Sequence, residues 1–87
     1  MKIKEGYILR EVAGNYVVLP IGQATLDFNG MISLNGTGAF LFDLMKTETN
    51  EEEMLEKLLE TYQIDEETAK KDVAEFVEKI KGAGIVA

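Results

Sequence analysis

Apolar positions change their rhythm once along this chain, near residue 35. Before that point they come in short runs rich in β-formers; after it they recur at helical spacing. Tyr7-Ile-Leu-Arg-Glu-Val12 and Tyr16-Val-Val-Leu19 read as two strands. Ala13-Gly14-Asn15 supplies a turn between them and Pro20 ends the second, so a hairpin is expected. Met31-Ile-Ser-Leu34 reads as a third, short strand with faces Met31/Ser33 and Ile32/Leu34. The stretch from Ile21 to Phe28 leaves two readings. Asn29-Gly30 is a tight-turn signal, so either Thr25–Phe28 pairs with Met31–Leu34, or the segment is a loop returning the chain to the third strand.

Three helices are expected after the strands. The first opens at Asn35 or Thr37, both good N-cap types. Gly36 and Gly38 are poor helix formers, which predicts an irregular first turn. Ala39, Phe40, Leu41, Phe42, Leu44 and Met45 are apolar almost all round, the pattern of a helix buried on more than one side. The second starts near Thr49 or Asn50, and Thr49 with Glu52 fits a capping box. Met54, Leu55, Leu58, Leu59 and Tyr62 form one apolar stripe, while Glu51, Glu52, Glu53, Glu56 and Glu60 complete the polar remainder. The third is capped by Asp65, with Glu66 and Glu67 suited to its first turn and Lys79 and Lys81 to its last. Its core stripe is Ala69, Val73, Phe76 and Ile80, and Gly82 stops it. Ile85 and Val86 then pack back. The expected core is Phe40, Phe42, Leu55, Leu58, Leu59, Val73, Phe76 and Ile80.

Size and composition narrow the class. A chain of 87 residues is expected to be one domain, residues 1–87. It buries only roughly 60–65% of its unfolded surface, so most apolar residues must serve the core. There is no cysteine and no histidine, which removes disulfides, thiolate metal sites and the commonest general base. No run approaches about 18 apolar residues and no signal-peptide core is visible, so the cytoplasm is the expected compartment, with no membrane partner. The net charge of −7 is carried entirely after residue 34, where six lysines face thirteen acids. Such a field repels phosphate backbones, and a nucleic-acid partner is not expected.

Candidate chemistry is sparse. Adjacent helical residues diverge by about 100°, so Glu51, Glu52 and Glu53 cannot converge on one ion. Gly36-Thr-Gly38 lacks the Gly-Lys-Ser/Thr ending of a phosphate loop. Asp27 and Asp43 are single carboxylates, and Ser33 has no histidine to activate it. No metal, nucleotide or other cofactor is expected, and no enzymatic activity. Two features remain. The Met31–Leu34 strand, if it lies at a sheet edge, exposes N–H and C=O groups that can add a partner strand. Lys70, Ala74, Val77 and Lys81 run along one flank of the third helix; they read either as a small apolar shelf with a lysine at each end, or as an ordinary helix boundary with snorkelling lysines.

Taken together, the hairpin, Leu34-Asn-Gly-Thr-Gly-Ala39 with Leu41, Phe42 and Leu44, the acidic helix ending in Tyr62, and Glu67–Ile80 followed by Gly82-Ala-Gly-Ile-Val86 resemble the PqqD-like family. The resemblance spans about residues 6–87. These are small chaperones first named from pyrroloquinoline-quinone biosynthesis, the peptide-recognition elements of ribosomal natural-product pathways. The resemblance implies an α+β, winged helix-turn-helix-like domain without DNA activity: a three-stranded antiparallel sheet followed by three helices. It implies that the leader of a precursor peptide adds as a strand to the third strand, in the cleft beside the third helix. The peptide is then delivered to a modifying enzyme, often a radical S-adenosylmethionine (radical SAM) protein. By position the binding residues are Met31, Ile32, Ser33 and Leu34 on the strand. Helical phase adds Lys70, Ala74, Val77 and Lys81. Gly36 departs from the family pattern, where an acidic residue is common. The expected function is a peptide-binding adaptor; a structural accessory subunit of a maturase and a DNA-binding winged helix are its rivals.

Overall fold

The computed structural model describes residues 1–27 and 31–87. Strands β1 (Tyr7–Val12) and β2 (Asn15–Pro20) pair antiparallel, with Val12 opposite Asn15. The hairpin turn is therefore Ala13-Gly14 alone, and Asn15 belongs to the strand. Both turn residues have positive φ, 53° and 82°, the signature of a type I′ turn, whose twist suits a two-residue hairpin. The chain then forms a short helix, α1 (Ala24–Asp27), so the strand reading of this segment fails over Thr25–Asp27. Phe28 and the expected Asn29-Gly30 turn lie outside the described residues.

Strand β3 (Ile32–Leu34) pairs antiparallel with β2, and the sheet order is β1-β2-β3. β3 is thus an edge strand. Met31, expected from the sequence to open this strand, instead precedes it and is exposed. The alternation holds: Ile32 and Leu34 are buried and Ser33 is exposed.

Three longer helices follow: α2 (Gly36–Leu44), α3 (Glu51–Thr61) and α4 (Glu66–Gly82). Each N-cap carboxyl or amide oxygen accepts a main-chain N–H three residues on. Asn35 Oδ1 takes Gly38 N at 2.7 Å, Asn50 Oδ1 takes Glu53 N at 2.8 Å, and Asp65 Oδ1 takes Thr68 N at 2.7 Å. For α3 this moves the cap one residue beyond the expected Thr49 box. The Thr49 hydroxyl donates instead to the Glu53 carboxylate at 3.0 Å. The first turn of α2 is regular despite its glycines. At Gly38 a side chain would crowd Leu34 and Asn35, with a Cβ only 3.1–3.3 Å from their side-chain atoms, so the strand-to-helix corner is tightly packed at this glycine.

α4 runs through Gly82, and the left-handed residue that ends it is Gly84 (φ 73°). Gly84 N bonds Lys81 O and Ile85 N bonds Ile80 O, a Schellman closure that turns Ile85 into the core. There the two chain ends meet. Ile3 bridges Val86, Lys4 N donates to Ile85 O, and Ala87 N donates to Lys2 O.

The core lies between the sheet and the helices. Val18, Ile32 and Leu34 come from the sheet, Leu41, Phe42 and Met45 from α2, and Met54 and Leu58 from α3. Ala69, Val73, Phe76, Val77 and Ile80 come from α4, with Ile3 and Ile85 from the ends. α2 touches α3, α4, β2 and β3, which is why its sequence is apolar nearly all round. Phe40, Leu55 and Leu59, expected inside, are half-buried. Phe40 sits at the rim, where its ring meets Tyr62 edge-on at 5.4 Å.

Candidate functional site

In an antiparallel pair, alternate residues exchange both main-chain bonds with the neighbouring strand, and those between turn their N–H and C=O away. Ser33 is one of the latter. Its carbonyl oxygen accepts a hydrogen bond from Lys79 Nζ at 3.0 Å, on the side of β3 opposite β2. The Ser33 N–H points the same way. The free edge of β3 therefore faces α4, and a cleft of about 360 Å³ separates them.

The cleft floor and rim combine main chain and side chains. Ser33, Leu34 and Asn35 supply the strand end, Thr37 and Gly38 the first turn of α2, and Asn15 the tip of β2. The α4 wall is Asp72, Glu75, Phe76 and Lys79. Phe76 is almost wholly buried and anchors the wall in the core. Asn35 holds the corner rigid, since its Oδ1 accepts from both Gly38 N and the Thr37 hydroxyl, at 2.7 and 3.0 Å. The wall is polar and carries both signs. It presents two carboxylates and one ammonium, and among the described residues no carboxylate lies within ion-pair distance of Lys79.

The residues expected from sequence divide between this cleft and other places. Ser33 and Leu34 line it. Ile32 points into the core, and Met31 is exposed just before the strand. The expected helix shelf does not reach it. Lys70 and Ala74 stand on the other flank of α4, in a smaller groove against α3 with Glu51, Glu52, Leu55 and Val73. Lys70 Nζ lies 3.8 Å from Glu66 in an exposed pair. Val77 is a core residue, and Lys81 is exposed near the helix end. The physical reason is that α4 packs against α2 and α3 together, so its buried arc is wide enough to take Val77 as well as the narrow expected stripe. Asp72, Glu75 and Lys79 were legible as the second flank of that stripe, at i, i+3 and i+7, but their polarity made them look like plain solvent face.

A strand edge with outward main-chain groups, walled by a helix on a rigid corner, defines the class: a small α+β domain carrying a strand-edge cleft. The family described as coenzyme PQQ synthesis protein D (PqqD) matches residues 8–86. The chain belongs to the PqqD family. Among solved structures it is similar to TbiB1 in complex with the TbiA(beta) leader peptide, with TM-score 0.71 and 18% identity over 98% of this chain and 93% of that one. It is likewise similar to lasso peptide synthetase B1 complexed with the leader peptide, with TM-score 0.69 and 18% identity over 97% and 93%. At that identity the likeness establishes the shared fold. No curated protein sequence matches the chain.

Proposed function

We propose that this protein is a non-enzymatic adaptor that binds the leader of a ribosomally made precursor peptide by strand addition at β3. One observation carries the reading: Ser33 turns its main-chain groups away from β2 into a cleft walled by α4, where its carbonyl accepts from a long, exposed side chain, that of Lys79. Membership of the PqqD family supports it, as do two solved relatives of the same fold whose structures contain leader peptides. The binding surface is then Ser33 and Leu34 with Asp72, Glu75, Phe76 and Lys79, and Met31, two residues before Ser33, contributes main chain at the strand's start, while Ile32 turns its main-chain groups toward β2 and its side chain into the core. Residues 1–87 act as one recognition domain. The bound peptide is presented to a modifying enzyme, for which a radical SAM protein is the first candidate, and the adaptor works in the cytoplasm without metal or nucleotide.

The test is an amide-shift titration of isotope-labelled protein with leader segments from short peptide genes beside its own. Shifts should concentrate on 31–38 and on the Asp72–Lys79 flank of α4. Shifts confined to α3, or to the Lys70–Ala74 flank, would place the peptide elsewhere. Binding that appears only with the enzyme present would favour an accessory subunit.

A further inference from the structure

We propose that Lys79 is a removable cap on the β3 edge, and that its release makes the cleft select leaders carrying a single carboxylate beside Ser33. The inference rests on the strand-addition reading above and names the peptide chemistry that the cleft takes.

The Lys79 ammonium occupies the Ser33 carbonyl from the far side of the cleft, 3.0 Å away. Both side chains are exposed, so the contact can open. A strand added to β3 must aim a main-chain N–H at that same oxygen, along the direction the ammonium now holds. The cap and the ladder compete for one acceptor, and Lys79 has to swing aside. A displaced ammonium needs a new partner. Glu75 is four residues back on the same helix, but such exposed helix pairs are weak and solvent-screened. A carboxylate on the incoming peptide, pointing toward α4 and partly covered by the peptide itself, is a better one. Side chains of an added strand alternate between faces, so only one or two positions can reach. Asp72 and Glu75 line the same cleft and repel further acids. The occupant that fits is thus a leader with one well-placed Asp or Glu. A generally acidic segment does not fit.

A random dodecapeptide display library, panned on the wild type and on Lys79→Met, tests this. Wild-type binders should share one acidic position, and the Lys79→Met binders should lose that preference. A selected peptide, made in Asp and Asn forms, should favour the Asp form about tenfold on the wild type and less than about twofold on Lys79→Met, with Lys79→Arg retaining most of the difference. In the free protein, Lys79→Met should move the Ser33 carbonyl ¹³C resonance upfield, the direction of a lost hydrogen bond. An equal Asp preference on both proteins, or an unmoved Ser33 carbonyl, overturns the cap. Peptides that bind the wild type and keep binding Ser33→Pro, or a library that yields no binders, overturn the strand-addition reading itself and the cap with it.

Discussion

The two flanks of α4 lie on either side of one buried stripe and meet opposite surroundings. Lys70 and Ala74 face α3, where Leu55 and Val73 complete a groove of about 230 Å³. Asp72, Glu75 and Lys79 face β3, whose Ser33 turns main chain toward them. A helix wedged between a sheet edge and a second helix has two seams, and they ask for different chemistry. The helix–helix seam is lined by side chains alone, Leu55 and Val73 at its floor with Glu51, Glu52 and Lys70 at its rim. The helix–strand seam contains the outward main-chain groups of Ser33, which no other strand pairs among the described residues, and its α4 flank is polar.

The largest expected effect separates the stripe from both flanks. Val77→Asp places an unpaired carboxylate in the core, which costs several kcal/mol. That approaches the whole stability of a chain this size, roughly 4–13 kcal/mol. Circular dichroism should show loss of the folded state; a protein that melts normally would return Val77 to the surface. Next comes Ser33→Pro. Because the Ser33 N–H faces the cleft, its removal spares the β2 ladder. Leader affinity should fall about tenfold or more while the melting temperature changes little. A collapse in stability would mean that the N–H serves the sheet.

A charge reversal on each flank sharpens the contrast at smaller scale. Glu75→Lys should change leader affinity by about three- to tenfold, in a sense set by the leader's own charge, and Ala74→Lys by less than about twofold. Comparable effects from the two, measured by anisotropy at one salt concentration, would dissolve the distinction between the flanks. The smallest effect should touch both equally, because Asp65 caps the helix that carries them. Hydrogen bonds from the Thr68 side chain and its main-chain N–H hold the Asp65 carboxyl below its ordinary value of 3.8. A lowered folded-state value gives stabilisation that is complete above the unfolded value and lost as pH falls through the folded one. Asp65→Asn should therefore melt slightly below the wild type at pH 7, and the gap should close below about pH 3.8. A gap that widens in acid would contradict the cap's charge.

Much of this was legible in the residues. The Tyr7–Val12 and Tyr16–Leu19 runs announce their hairpin, and Ile32/Leu34 against Ser33 announce which face of β3 is wet. Asn35 and Asp65 announce two helix starts. Other features depend on tertiary context. Asn50 outcompetes Thr49 as cap because the two lie one residue apart and both are competent. α4 ends at Gly82, but the left-handed closing residue is Gly84, because the Schellman closure there brings Ile85 inside. For α4 itself, the periodicity defines a stripe and two flanks but not the neighbour that each flank meets. Which flank turns toward β3 depends on how the helical layer crosses the sheet, and no local pattern encodes that. Lys79, read locally, suits a helix C-terminus; its bond to Ser33 spans 46 residues of sequence.

The meeting of the chain ends has a kinetic consequence. Ile3 and Val86 bridge across almost the whole chain, the costliest loop this fold has to close. Contacts of that separation form after the nucleus, once local helices and the hairpin have shortened the path. Ile3 is nonetheless buried against the core. Ile3→Ala should therefore leave the refolding rate nearly unchanged and raise the unfolding rate by most of its stability loss, a φ-value near zero in stopped-flow chevrons. The two ends act as a clasp, setting how long the folded domain lasts without affecting how fast it forms.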